Sequence, residues 1–281
     1  MRDTALLLDL THGADPLSPY AAREPKGAFT AAAARDPGRL SLAVYRKSPL
    51  GLPISAETME ALDTAVALAR EGGHTVEEID LPYIGRDFIA DFCKSVASAV
   101  AGMMRAEAKR VGRPVSGEVE RATRVLGRLG EMLSAGEVYD AVQRLNATAR
   151  QMIEDTARFD AVLMPIIAHP PLACGAMDPK GADELVENVL DKLHLTGLLR
   201  IKSFFGQLMD KSLWFTPWPA IHNVSGQPSI ALPVHVTAGG LPLGIQAAGR
   251  PGDEETLLSL AAQMEKISGW LKRRAPLKVP G

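Results

Sequence analysis

Ser225 follows His222 by three residues in "HNVSGQPSIALP", and Cys174 follows His169 across a Pro-Pro-Leu-Ala step. Each pair is a nucleophile type beside a base type. A hydroxyl or thiol nucleophile needs that base within hydrogen-bond reach, and backbone donors for the oxyanion. Neither pair sits in a framework that supplies both. The chain has no Gly-x-Ser-x-Gly elbow and no Ser-x-x-Lys. Gly226 and Pro228 are turn formers, so Ser225 reads as a local backbone partner and the stretch as a turn launching a strand. A lone cysteine in a proline-rich loop more often packs or lines a pocket than attacks.

Other chemistries find less. The histidines at 12, 74, 169, 194, 222 and 235 show no His-x-His or His-Glu-x-x-His spacing, and Cys93 and Cys174 have no cysteine close by. No metal site and no cofactor are expected. No GxxxxGK[ST] or GxGxxG loop is present, and "TAGGLPLG" reads as a hairpin. Glu77-Glu78 and Glu254-Glu255 read as a solvated strand face and the first turn of a helix.

The elements that would position these residues follow from periodicity. Ala5, Leu6, Leu7 and Leu10 form the apolar side of an opening helix, and residues 11–38 read as loop. "RLSLAVYR" (39–46) alternates as a strand, and Ser55 caps a helix with apolar positions Met59, Leu62, Val66 and Ala69. Gly72-Gly73 stops that helix, and "HTVEEIDLP" (74–82) is a second strand, so the three form a βαβ unit with a parallel pair. A helical stripe of Phe88, Phe92, Val96, Val100 and Met103 ends at Gly112 and Pro114. Ser134 and Glu137 make a capping box for a helix to about Phe159. "DAVLMPIIA" (160–168) reads as a strand buried on both faces, ended by Pro170-Pro171. A helical segment from Leu185 to about Leu208 follows, then strands at 228–236 and 241–249, and a last helix capped by Asp253 with Leu257, Leu258, Ala261 and Met264 on its apolar face. The expected fold is α/β, a mixed β-sheet core flanked by helices on both faces, with residues 1–281 as one domain.

The net charge of −2 gives no electrostatic footprint for nucleic acid. No apolar run is as long as a membrane span, and the two distant cysteines fit a reducing, cytoplasmic setting.

One ordered set of residues is more specific. Asn223, Gly226, Pro228, Pro233, Gly240-Leu241-Pro242, Gly244, Gln246, Gly249-Arg250, Asp253 and Leu257-Leu258 follow the C-terminal pattern of the amidase signature family, which the chain resembles. "RDTALLLDLTHGADPLSPY", the 39–82 unit and "FDAVLMPIIAHPPLA" extend the resemblance along the whole chain. Within the family, "GQPSIALPVH" and a tail with Trp270, Arg273 and Pro276 are more similar to bacterial broad-range amidases, the hydrolase of the cyclic aminohexanoate dimer among them, than to the tRNA-amidotransferase subunit.

The resemblance implies hydrolysis of a small-molecule carboxylic amide by a Ser–cis-Ser–Lys triad on a Gly/Ser-rich loop. No serine or lysine of this chain matches that triad, so no catalytic residue is assigned. Cys174, Phe215, Trp218 and Asn223 are the candidate substrate-binding residues. The alternative for Trp218 is core packing. Met1-Arg2-Asp3-Thr4-Ala5 stands where family members often read Val-Arg-Asp-x-Ala, so the expectation is an amidase whose N-terminal part is absent, by truncation or a misplaced start. That implies an incomplete fold, inactive as this chain alone, that associates in isolation through exposed strand edges. The competing readings are a split amidase whose triad arrives in trans, a homo-oligomer, and a non-catalytic binding or interaction module.

Overall fold

In the computed structural model the described residues are 1–19, 23–177 and 202–274. The sheet is built from β1 (Ser41–Val44), β2 (Thr75–Glu78), β3 (Ala161–Pro165), β4 (Ser229–Val236) and β5 (Pro242–Gly249), in the spatial order β2-β1-β3-β5-β4. β1 runs parallel to β2 and β3, with Leu42 opposite Val76 and Ala161. β5 is antiparallel to β3 and β4, with Gln246 opposite Met164 and Ala231. The sheet is therefore mixed.

Strand alternation divides the core in two. Leu42, Val44, Leu163, Leu232, Ile245 and Ala247 turn to one face. They pack on α3 (Ala56–Glu71) and on α9 (Glu254–Ser268) through Leu62, Val66, Leu257 and Met264. Ala43, Tyr45, Val162 and Met164 turn to the other face. There they meet α4 (Arg86–Val111), α6 (Ala135–Thr156) and α8 (Pro219–Ser225) through Phe88, Ile89, Leu145, Met152 and Ile221. Helices thus cover both faces, and β3 is buried along its whole length.

Local signals set the element ends. Ser55 Oγ accepts the Thr58 N–H at 3.1 Å, which starts α3. Ser134 and Glu137 form the reciprocal capping box of α6. The segment 11–38, expected as loop, contains the short helix α2 (Phe29–Ala34). Its N-terminus is held by Asp9 of α1 (Arg2–Thr11), whose carboxylate accepts the Phe29 N–H at 2.6 Å and the Thr30 N–H at 3.0 Å. Those bonds, the Thr30 hydroxyl foremost, hold the Asp9 carboxyl below the usual range. Four small residues, Ala31 to Ala34, give no periodic signal, and the cap lies twenty residues upstream.

The apolar stripe of α4 also differs from expectation. Phe88 is buried as expected, but the helix buries Ile89, Ala97 and Ala101, and Met103 is 71 % exposed. The reason is α5 (Arg121–Met132), which comes close at Gly127 and Gly130 and selects the small side of α4. The expected helix from Leu185 to Leu208 lies largely outside the described residues; the described helix there is α7 (Lys202–Leu213).

Candidate substrate pocket

In sheets with parallel strands, ligands gather beyond the carboxyl ends of those strands. Here β1 and β3 end together at Val44 and Pro165, and the candidate residues lie in the segments that follow. Ala168 is the joint. Its carbonyl accepts the Ser55 N–H at 2.9 Å, and its own N–H donates to the Phe215 carbonyl at 2.7 Å. The loop leaving β3 is therefore tied to the start of α3 on one side and to the segment before α8 on the other. The tie is extended by rings. His169 lies 5.1 Å from Trp214, and Trp214 lies 5.6 Å from Phe215, centroid to centroid. All three side chains are half-buried.

Phe215 and the root of the Cys174 loop are thus brought together. Trp218 lies beneath them. It is fully buried among Tyr45, Leu50, Phe88 and Ile221, and its indole N–H donates to the Lys47 carbonyl at 3.0 Å. It anchors the loop after β1 to the loop before α8. Cys174 and Asn223 are both exposed, Cys174 in a turn closed by the Ala176 N–H on the Ala173 carbonyl, and Asn223 on α8. No hydrogen bond or ring contact among the described residues links either of them to Phe215 or Trp218. His169 and Trp214 are the additions that sequence reasoning missed as a unit. The sequence offers His169 only as a base for Cys174, and its ring lies on Trp214 instead.

The Ser225–His222 pair does not form. Residues 219–225 are the helix α8, ended by Gly226 at φ +68° with its N–H on the His222 carbonyl. Ser225 Oγ accepts the Gln227 N–H at 3.4 Å, a local turn bond. His222 is buried, and neither ring nitrogen has a partner among the described residues. Burial pushes its pKa down to about 4. Cys93 in α4 is also set apart from chemistry, because burial pushes its thiol up to about 11. A cavity of about 180 Å³ opens at the opposite end of β3, between Thr156, Phe159, Gln227, Ala248 and Arg250. None of the candidate residues lines it. Among the described residues no group of three His, Cys, Asp or Glu side chains could hold a metal ion, and no helix is long and apolar enough to cross a membrane.

The family model described as "Amidase" matches residues 1–258. "Putative amidase AmiB2" of Mycobacterium tuberculosis is 30 % identical over 277 residues, which are 97 % of this chain and 51 % of that protein. The 6-aminohexanoate-cyclic-dimer hydrolase of Pseudomonas sp. is 27 % identical over 292 residues, 100 % of this chain and 54 % of that one. A solved structure of a 6-aminohexanoate cyclic dimer hydrolase shares the fold, with a TM-score of 0.78 at 24 % identity over 97 % of this chain and 54 % of its own. The chain spans about half the length of the curated relatives it matches.

Proposed function

The chain belongs to the amidase family, and from that premise we propose that residues 1–281 form the substrate-pocket wall of a cytoplasmic carboxylic-amide hydrolase whose Ser–cis-Ser–Lys elements come from a polypeptide segment outside this stretch. On this reading residues 1–281 do not turn over amides by themselves. The supporting observation is the joint at Ala168, which ties the β3 loop to Phe215 at the carboxyl ends of the parallel strands. Phe215, with His169 and Trp214, offers an aromatic wall to the apolar part of a small amide. Cys174 and Asn223, both exposed, are proposed as further substrate contacts, and Trp218 anchors the segment that carries Phe215. The named pairs of base and nucleophile within the chain make no hydrogen bond to each other, which agrees with a triad supplied from elsewhere.

The test is hydrolysis of the cyclic dimer of 6-aminohexanoate and of simple carboxamides. It compares residues 1–281 alone with the same residues joined or mixed with an amidase segment carrying the Gly/Ser-rich loop. The expected result is no turnover alone and turnover together. Robust turnover by residues 1–281 alone overturns the proposal and returns attention to Ser225 and Cys174. Saturable amide binding without turnover in either arm favours a non-catalytic binding module.

A further inference from the structure

α4 and α5 touch closely at one point and part from there. At Gly130 a Cβ would meet the backbone carbonyl of Ala97, whereas at Gly127 it would meet a side chain, the Met104 Sδ at 2.5 Å. The two helices therefore splay from Gly130 toward the start of α5, and a slot of about 210 Å³ opens in the wedge. α4 ends at Gly112, at φ +75°, and residues 114–116 of the returning chain close one side of the slot. Arg124 fastens that return, because its Nη1 donates to the Ser116 and Val119 carbonyls.

The slot is apolar inside and cationic at its mouth. Ala101, Val115 and Gly127 are its buried members, and Met104 and Ala108 are half-buried walls. Alanine at 101 and 108 leaves open what a leucine would fill. Three arginines line the slot, Arg105, Arg124 and Arg128, against one carboxylate, Glu131. Arg105 Nη1 pairs with Glu131. A guanidinium carries five N–H groups, so a paired arginine still has donors to give. The charge excess extends along both helices. Residues 101–130 hold seven Lys and Arg and three Glu, in a chain whose net charge is −2.

We propose that this slot binds a medium-chain carboxylate, with the hydrocarbon in the wedge and the head group on Arg105 and the arginines of α5. The body follows from size and lining. An apolar cavity of about 150 Å³ holds a benzene ring, so the slot takes roughly eight carbons. The head follows from charge, because the planar fork of a guanidinium matches a carboxylate through two parallel N–H···O bonds. An inorganic anion has the charge without the body, and an alcohol of the same length has the body without the charge. The site stands on the geometry of α4 and α5 and does not depend on the function proposed above.

Equilibrium dialysis of residues 1–281 against labelled octanoate tests it. The expected result is about one octanoate per chain, with a Kd on the order of 100 µM that weakens as salt rises. 1-Octanol and inorganic phosphate should each bind about tenfold more weakly or worse. Ala108→Leu fills the slot and should weaken octanoate binding about tenfold or more without lowering the midpoint of thermal unfolding. Arg105→Gln should weaken it about fivefold, and Glu131→Gln, which releases Arg105, should tighten it about threefold and leave octanol unchanged. Leu10→Ser, on the exposed side of α1, should change nothing. The proposal is overturned if octanoate saturates no site, if octanol binds as tightly, or if Ala108→Leu and Arg105→Gln both bind as wild type does. Retention on phosphatidylglycerol vesicles without octanoate binding also overturns it, in favour of a membrane surface. Should Ala108→Leu fail to fold, the opposed shifts of Arg105→Gln and Glu131→Gln decide alone, and shifts of one sign sink the site.

Discussion

His222 shows how a single side chain sets a pH limit on the fold. Its pKa is pushed down to about 4 from an ordinary 6.5, because burial disfavours the imidazolium. Between those values the unfolded chain binds the proton and the folded chain does not. Stability is therefore lost as pH falls from about 6.5 to about 4, by on the order of 3 kcal/mol. Urea unfolding at pH 7 and at pH 4.5 should show that loss, and His222→Phe should flatten it. An unchanged slope in the variant would place the acid sensitivity elsewhere. Trp218 teaches a different lesson at the same scale. Its type allowed either a ligand contact or a core role, and the burial and the Lys47 bond that anchor it are not written in its neighbours in sequence. Ser225 was more legible, because Gly226 and Pro228 beside it fix the backbone that occupies its hydroxyl.

At the scale of elements, strong local signals were sufficient. The capping box of α6, the Ser55 cap of α3 and the uninterrupted apolar run of β3 all lie where alternation, periodicity and caps place them. Elements decided by distant partners were not legible. α2 owes its start to Asp9, and the buried side of α4 is chosen by α5. Gly130 marks that second contact. A Cβ there would stand 2.1 Å from the Ala97 carbonyl oxygen and 2.8 Å from the Ala101 Cβ. Gly130→Ala must push α5 away from α4, at a cost of about 1–3 kcal/mol. Chemical denaturation measures it, and a cost near zero would mean that the two helices are not held at this separation. The pocket falls between the two cases. Its segments could be listed from the family pattern, but the Ala168 joint and the His169–Trp214 contact join residues more than forty positions apart.

The whole molecule carries apolar surface that its own described residues do not cover. Leu6, Leu7 and Leu10 on α1 are 49 %, 60 % and 75 % exposed, and Leu17 is 91 % exposed. With β4 at the edge of the sheet, they predict that residues 1–281 in isolation associate heterogeneously at micromolar concentration. Sedimentation velocity decides this: a monodisperse monomer with cooperative unfolding would refute it. The mixed α/β class and the presence of helices on both faces followed from the order of periods along the chain. The sheet order did not, because β3 joins β1 and β5 across long stretches of sequence. The small cluster of Ala5, Phe29 and Leu258 carries that separation to its extreme. Beside it, the Lys26 N–H donates to the Glu255 carboxylate across 229 positions. On a ribosome this makes the first helices wait. α1 and α2 find their partner only when α9, far downstream, has been translated. A nascent chain arrested before Glu255 would hold α1 and α2 without the surface they dock on, the kind of intermediate that chaperones bind.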